Sequence, residues 1–200
     1  IATTRGGSDK RDAASVELPA EVSNMSKVKF NGQTFPSSEV AGPSVLSDTR
    51  ASGWQQSDVG SALSAAYLSA GSSAQVGPGV FEATIREQVT GPSAAELLQV
   101  RQSEYQQWAA ITKTAPGAPI DVSTQAATLT GWKVDNWSQS GPITVHLLAQ
   151  RPSKDFFEYA ALVAWDTAVG DYQLVSPAGG KFASAAVPDT SPYTPFYTTS

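Results

Sequence analysis

The residue types that could do chemistry are few. The chain has 200 residues, a single histidine and no cysteine, so thiolate nucleophiles, disulfides and cysteine-based metal sites lie outside its repertoire. His146 sits in the run ITVHLLA between Val145 and Leu147. Strand alternation places it on the face opposite to those two residues. A general base needs an orienting carboxylate and a proton donor within hydrogen-bond reach, and the neighbouring sequence nominates neither. A structural or surface role is therefore expected of His146. With one imidazole and no thiolate, only carboxylates are left to complete a metal site, and no metal or other cofactor is predicted.

The acidic residues point the same way. Asp166 and Asp171 flank TAVG, which lacks the alternating oxygen donors of a calcium loop. Aspartates around such a segment are expected to bond their own turn. Asp121, Asp135, Asp155 and Glu158 fall on different predicted elements, and no spacing argues for a catalytic carboxylate pair. Ser26-Lys27-Val28-Lys29 has the S-x-x-K spacing in which a lysine activates a serine, but that motif must open a helix, and here it adjoins a strand-like VKF. Gly77-Pro78-Gly79 and PAGGK lack the glycine spacing of a phosphate cradle. The chain is predicted not to be an enzyme.

Composition narrows the partners. Thirteen Lys and Arg stand against 18 Asp and Glu, a net charge of -5 with no basic stripe. Binding to nucleic acid by counterion release is disfavoured. No run reaches the roughly 18 apolar residues of a membrane span. The sequence opens at Ile1 with no apolar leader, and a membrane anchor upstream of Ile1 is expected in a longer protein.

Spacing then sets out the elements that position these residues. Residues 1–52 are polar and irregular and are read as an extended N-terminal arm, with Val28 and Phe30 alternating ahead of an Asn31-Gly32 turn signal. Ser57 is a candidate N-cap for a helix carrying Val59, Leu63, Ala66, Tyr67 and Ala70. Pro78 opens a second helix through Phe81 and Ile85. Ser93 and Glu96 suggest a capping box for a third, whose stripe runs through Leu97, Leu98, Arg101, Tyr105 and Trp108. After Pro119 the period falls to two. Leu129, Trp132, Val134 and Trp137 mark one strand, Ile143 to Ala149 a second, FFEYAALVAW a central third and YQLVS a fourth. Residues 53–176 thus form the predicted domain, and residues 177–200 a proline-rich C-terminal tail.

Three helices followed by about four strands predict an α+β fold, with three N-terminal helices packed on a curved antiparallel sheet. That order resembles the nuclear transport factor 2-like, or cystatin-like, cone. The segments GPGVFEATIREQVTG, SALSAAYLSA, VAWDTAVGDYQLVSPAGG and SPYTPF resemble an actinobacterial cell-envelope family of unassigned function, similar to the soluble domains of Gram-positive conjugation and type IV secretion proteins. The resemblance spans roughly residues 45 to 197 and brings no catalytic motif. It implies an extracytoplasmic, membrane-anchored location and protein partners within an envelope assembly, including further copies of the chain.

Large aromatic residues are the natural candidates for such contacts. Trp108 and Trp165 fall at core positions, whereas Trp54, Trp132 and Trp137 lie near element ends or on an alternating strand. Tyr193, Phe196 and Tyr197 lie in a tail with polyproline-like spacing. Those six are the candidate partner-binding residues, because tryptophan and tyrosine are enriched at interfaces. The expected function is a non-catalytic scaffold domain of a conjugation- or secretion-type machine. The alternative is a small-molecule or lipid binding module that uses the mouth of the cone.

Overall fold

The structure, a computed structural model, describes residues 25–122 and 125–197. It begins with a hairpin, β1 (Ser26–Phe30) and β2 (Gln33–Ser37), closed by Asn31-Gly32. Both turn residues have positive φ, 49° and 75°, which matches the twist of the flanking strands and explains the Asn-Gly pair. A second small pair follows, β3 (Val45–Leu46) with β4 (Ala51–Ser52).

Helix α1 (Asp58–Gly71) is the centre of the molecule, with all but two of its fourteen residues buried. Its sequence DVGSALSAAYLSAG is small on nearly every side, so strands and helices approach it all round. Ser61 and Ser64 are buried without loss because their hydroxyls bond back into the helix: Ser61 Oγ donates to Asp58 O at 2.6 Å and Ser64 Oγ to Ser61 O at 2.9 Å. Ser57 caps the N-terminus, its Oγ accepting from the Gly60 N–H at 3.0 Å, as the spacing predicted. After a 3₁₀ turn, α2 (Pro78–Gln88) leads into β5 (Val89–Thr90), and α3 (Ala94–Thr112) packs on α2.

The main sheet comprises β6 (Thr128–Asp135), β7 (Pro142–Gln150), β8 (Phe156–Asp166), β9 (Asp171–Val175), β5, and two strands from the tail, β10 (Ser184–Ala186) and β11 (Thr194–Pro195). Its order is β11-β6-β7-β8-β9-β5, with β10 pairing the free half of β8. The β5–β9 pair is parallel and the rest are antiparallel. One face, carrying Ile143, Val145, Leu147, Ala161, Val163 and Leu174, closes on α1. His146 points to the other face, as alternation predicted.

The expected cone of three N-terminal helices on about four antiparallel strands is not the fold observed. Four strands precede α1, and the sheet is mixed with seven strands. Only the β1–β2 turn was signalled in this stretch, because β1, β2 and β4 each bury only one or two residues and β3 buries none. Phe30 and Phe35 pack on Tyr67 at ring separations of 5.1 and 4.8 Å, and the Tyr67 hydroxyl donates to Pro36 O at 3.0 Å. Residues on both sides of the expected boundaries at 52 and 177, from Phe30 to Phe196, share one hydrophobic core.

Two local expectations also change. Ser93 precedes α3, but its side chain makes no cap, and its N–H donates to Ser176 Oγ at 3.1 Å. Trp108 is 50% exposed. The buried stripe of α3 passes through Leu97, Arg101 and Tyr105 and leaves by Ala109, one residue from Trp108.

Candidate functional site

A groove of about 1550 Å³ lies between the β1–β2 hairpin and the inner face of the main sheet. The hairpin contributes Lys27, Lys29, Thr34 and Phe35 to one wall. Leu129, Ala149, Phe157 and Tyr159 form the wall opposite. The last turn of α1 supplies Ser69 and Ala70, and the tail closes one side with Phe182, Pro195 and Tyr197. Apolar and aromatic surface therefore dominates the floor, as in ordinary ligand sites.

Charge in this groove has one sign. Lys27, Lys29, Arg101 and Arg151 line it, and among the described residues no carboxylate does. Arg101 is buried, donating from Nε to Ser72 O at 3.0 Å and pairing with Glu104 at 2.6 Å. Arg151 pairs with Asp155 and stacks over Phe157, 4.3 Å from the ring centre. Lys27 and Lys29 have no carboxylate partner among the described residues. Lys29 Nζ donates to Thr34 Oγ1 at 2.9 Å, and Lys27 Nζ sits 4.7 Å from the centre of the Tyr197 ring.

One buried hydroxyl in the walls has no partner among the described residues. Ser69 is 6% exposed, and its Oγ makes no hydrogen bond, unlike those of Ser61, Ser64 and Ser72. Burial pushes the Tyr159 hydroxyl's pKa up with no hydrogen bond contributing. An unpartnered polar group in a cavity wall is costly unless water or a ligand satisfies it.

A second polar constellation lies on the opposite face of the sheet. His146 Nε2 is 2.8 Å from Asp135 Oδ2, and Nδ1 is 3.2 Å from Glu158 Oε2, an ionic contact out of line for a hydrogen bond. The Tyr193 hydroxyl donates to Glu158, and Lys133 Nζ lies 5.1 Å from the centre of the Tyr193 ring. Sequence reasoning found no partner for His146 because Asp135 and Glu158 come from the flanking strands β6 and β8. Asp135 engages Nε2, whereas Nδ1 has no hydrogen-bond partner among the described residues. Among the described residues no group of His, Asp and Glu converges on a metal position.

The cluster has a pH signature. Burial alone would raise the Glu158 carboxyl, but the Tyr193 hydroxyl and the nearby His146 and Lys133 charges bring it below its ordinary range. The sign follows: stabilisation from Glu158 is complete above the unfolded value of about 4.3 and is lost as pH falls through the lower folded value. Melting temperatures recorded from about pH 6 to about pH 3 should therefore fall more steeply for the native chain than for Glu158→Gln. Parallel curves would remove Glu158 from the acid limb. Burial and the same carboxylate push Tyr193 up to about 12.

The six aromatic residues proposed for partner contacts separate by position. Trp54 (3% exposed), Trp132 (5%) and Phe196 (0%) are inside the core. Trp137 is 37% exposed at the β6–β7 turn, with Nε1 donating to the Tyr172 hydroxyl at 3.4 Å. Tyr193 and Tyr197 are half-buried, one against the histidine cluster and one in the groove. Asp166 behaves as a turn former, Oδ1 accepting from the Ala168 N–H at 2.9 Å.

A family profile described as Domain of unknown function (DUF8175) matches residues 2–195. The chain belongs to that family. No curated protein and no solved structure matches the chain. The DUF8175 match covers the histidine cluster and the groove residues other than Tyr197. No helix among the described residues of this DUF8175 domain is long and apolar enough to cross a membrane.

Proposed function

We propose that this domain is a non-catalytic, extracytoplasmic binding module that holds a small molecule or a single lipid chain in the groove. The observation that carries this reading is the groove itself, about 1550 Å³ with an aromatic floor formed by Phe157, Tyr159, Phe182 and Tyr197. Ordinary small-ligand pockets occupy about 300–1,000 Å³. A volume beyond that range suits an elongated ligand.

Calorimetric titration of the full chain with single-chain amphiphiles of neutral and charged head groups tests it. At least one should bind saturably at one site, and its NMR shift changes should centre on groove residues such as Phe157 and Tyr197. Ala127→Trp, which places a bulky ring in the groove wall, should lower affinity by at least about tenfold while keeping the melting temperature. Absence of saturable binding for every head group, or shifts confined to another face, would overturn the reading.

A role within a conjugation- or secretion-type assembly is the second reading. It is favoured by the exposed Trp108 (50%) and Ile111 (73%), three residues apart on α3, because apolar side chains clustered on a helix surface are typical of protein contacts. Cross-linking of the full-length protein in its native envelope, with no partner recovered at either position, would remove it.

A further inference from the structure

We infer that the ligand of the groove is an anionic amphiphile, its carboxylate or phosphate head group held at the Lys27–Lys29 rim and its apolar chain laid over the aromatic floor. This rests on the binding reading above and adds the ligand's chemical class.

Charge complementarity is the first argument. A chain of net charge -5 places four basic side chains and, among the described residues, no acidic one around this groove. Two of those cations are neutralised from outside by Glu104 and Asp155. Lys27 and Lys29 are left on one strand, two residues apart and so on the same side of β1. A cleft with uncompensated charge of one sign over a low-dielectric floor concentrates ligands of the opposite sign. A neutral or cationic ligand would leave that charge unused.

Ser69 gives an independent argument. Its neighbours Ser61, Ser64 and Ser72 each satisfy their hydroxyl by bonding a carbonyl three residues back. Ser69, on the same helix and equally able to bond back, keeps its Oγ unpaired in the groove wall while almost wholly buried. A buried donor left open beside an apolar floor fits a ligand that brings an acceptor oxygen. The aromatic side chains supply the rest of the fit, since Phe157, Phe182 and Tyr197 present edges and faces to an alkyl chain and hold no charge.

The test uses the full chain and four probes with the same twelve-carbon tail, all below their micellar concentrations: dodecanoate, dodecyl phosphate, monolaurin and dodecyltrimethylammonium. The two anions should bind at least about tenfold more tightly than monolaurin, and the cation most weakly. The preference should shrink as ionic strength rises past about 0.15 M. Lys27→Gln/Lys29→Gln should bring the anions to within about twofold of monolaurin while monolaurin's affinity stays the same. Equal affinity of monolaurin and the anions for the native chain would overturn the inference and leave the binding reading standing. No binding of any probe would overturn both. An anion preference undiminished in the double variant would overturn the assignment of the head group to these lysines.

Discussion

Replacing Phe196 by alanine should lower the unfolding free energy by about 3–5 kcal/mol, the range for removing a fully buried aromatic ring. Phe196 has no exposed surface and its N–H donates to Thr130 O at 3.0 Å. It is the anchor of a strap that pairs Thr194 and Pro195 with Trp132 and Gly131 at the edge of β6. Gly131 makes that pairing possible, because a Cβ there would stand 2.9 Å from Thr194 O. Around the anchor, Tyr193 reaches Glu158 on the outer face and Tyr197 lies under Lys27 in the groove. Urea unfolding followed by tryptophan fluorescence reads the effect. A loss below about 1 kcal/mol would mean that the strap is dispensable to the folded unit.

Asp171→Ala should cost a comparable amount, about 3–5 kcal/mol, for an electrostatic reason. The carboxylate is 8% exposed. Its Oδ2 accepts the Gly53 N–H at 2.7 Å, while Oδ1 accepts the Trp54 N–H at 3.2 Å and the Tyr172 N–H at 2.9 Å. Removing it strands three buried or half-buried backbone donors, and it frees the segment that leads into α1 from β9. Thermal unfolding should show the loss, and limited proteolysis should show faster cleavage between Ser38 and Ser57. Asp171→Asn, which keeps one acceptor oxygen, should fall between the native chain and the alanine variant. Native-like stability of the alanine variant would mean that the three N–H groups find other partners.

Phe196 and Asp171 act through residues far away in the chain, and that separates what was legible from what was not. Periodicity alone located α1, α2 and α3, the strands β6 to β9, the Asn31-Gly32 turn and the outward face of His146. Each is a local matter: spacing of three and four winds a helix with one apolar side, spacing of two makes a strand, and Asn-Gly tolerates positive φ. The missing charge partners for Lys27 and Lys29 were not legible, because nothing in VKF says which wall of a groove it will form.

Composition and spacing by themselves determined that the chain lacks thiolate chemistry, carries one imidazole on the strand face opposite Val145 and Leu147, and changes from helical to strand spacing after Pro119. Tertiary structure alone decided that the polar first segment supplies four strands, that the proline-rich tail completes the sheet, and that three of six candidate contact aromatics are internal. It also decided that His146 meets two carboxylates and that the groove is basic. The reason is range: elements follow from side chains a few residues apart, whereas a site is assembled by contacts across dozens of residues, whose free energy depends on burial that no local window contains.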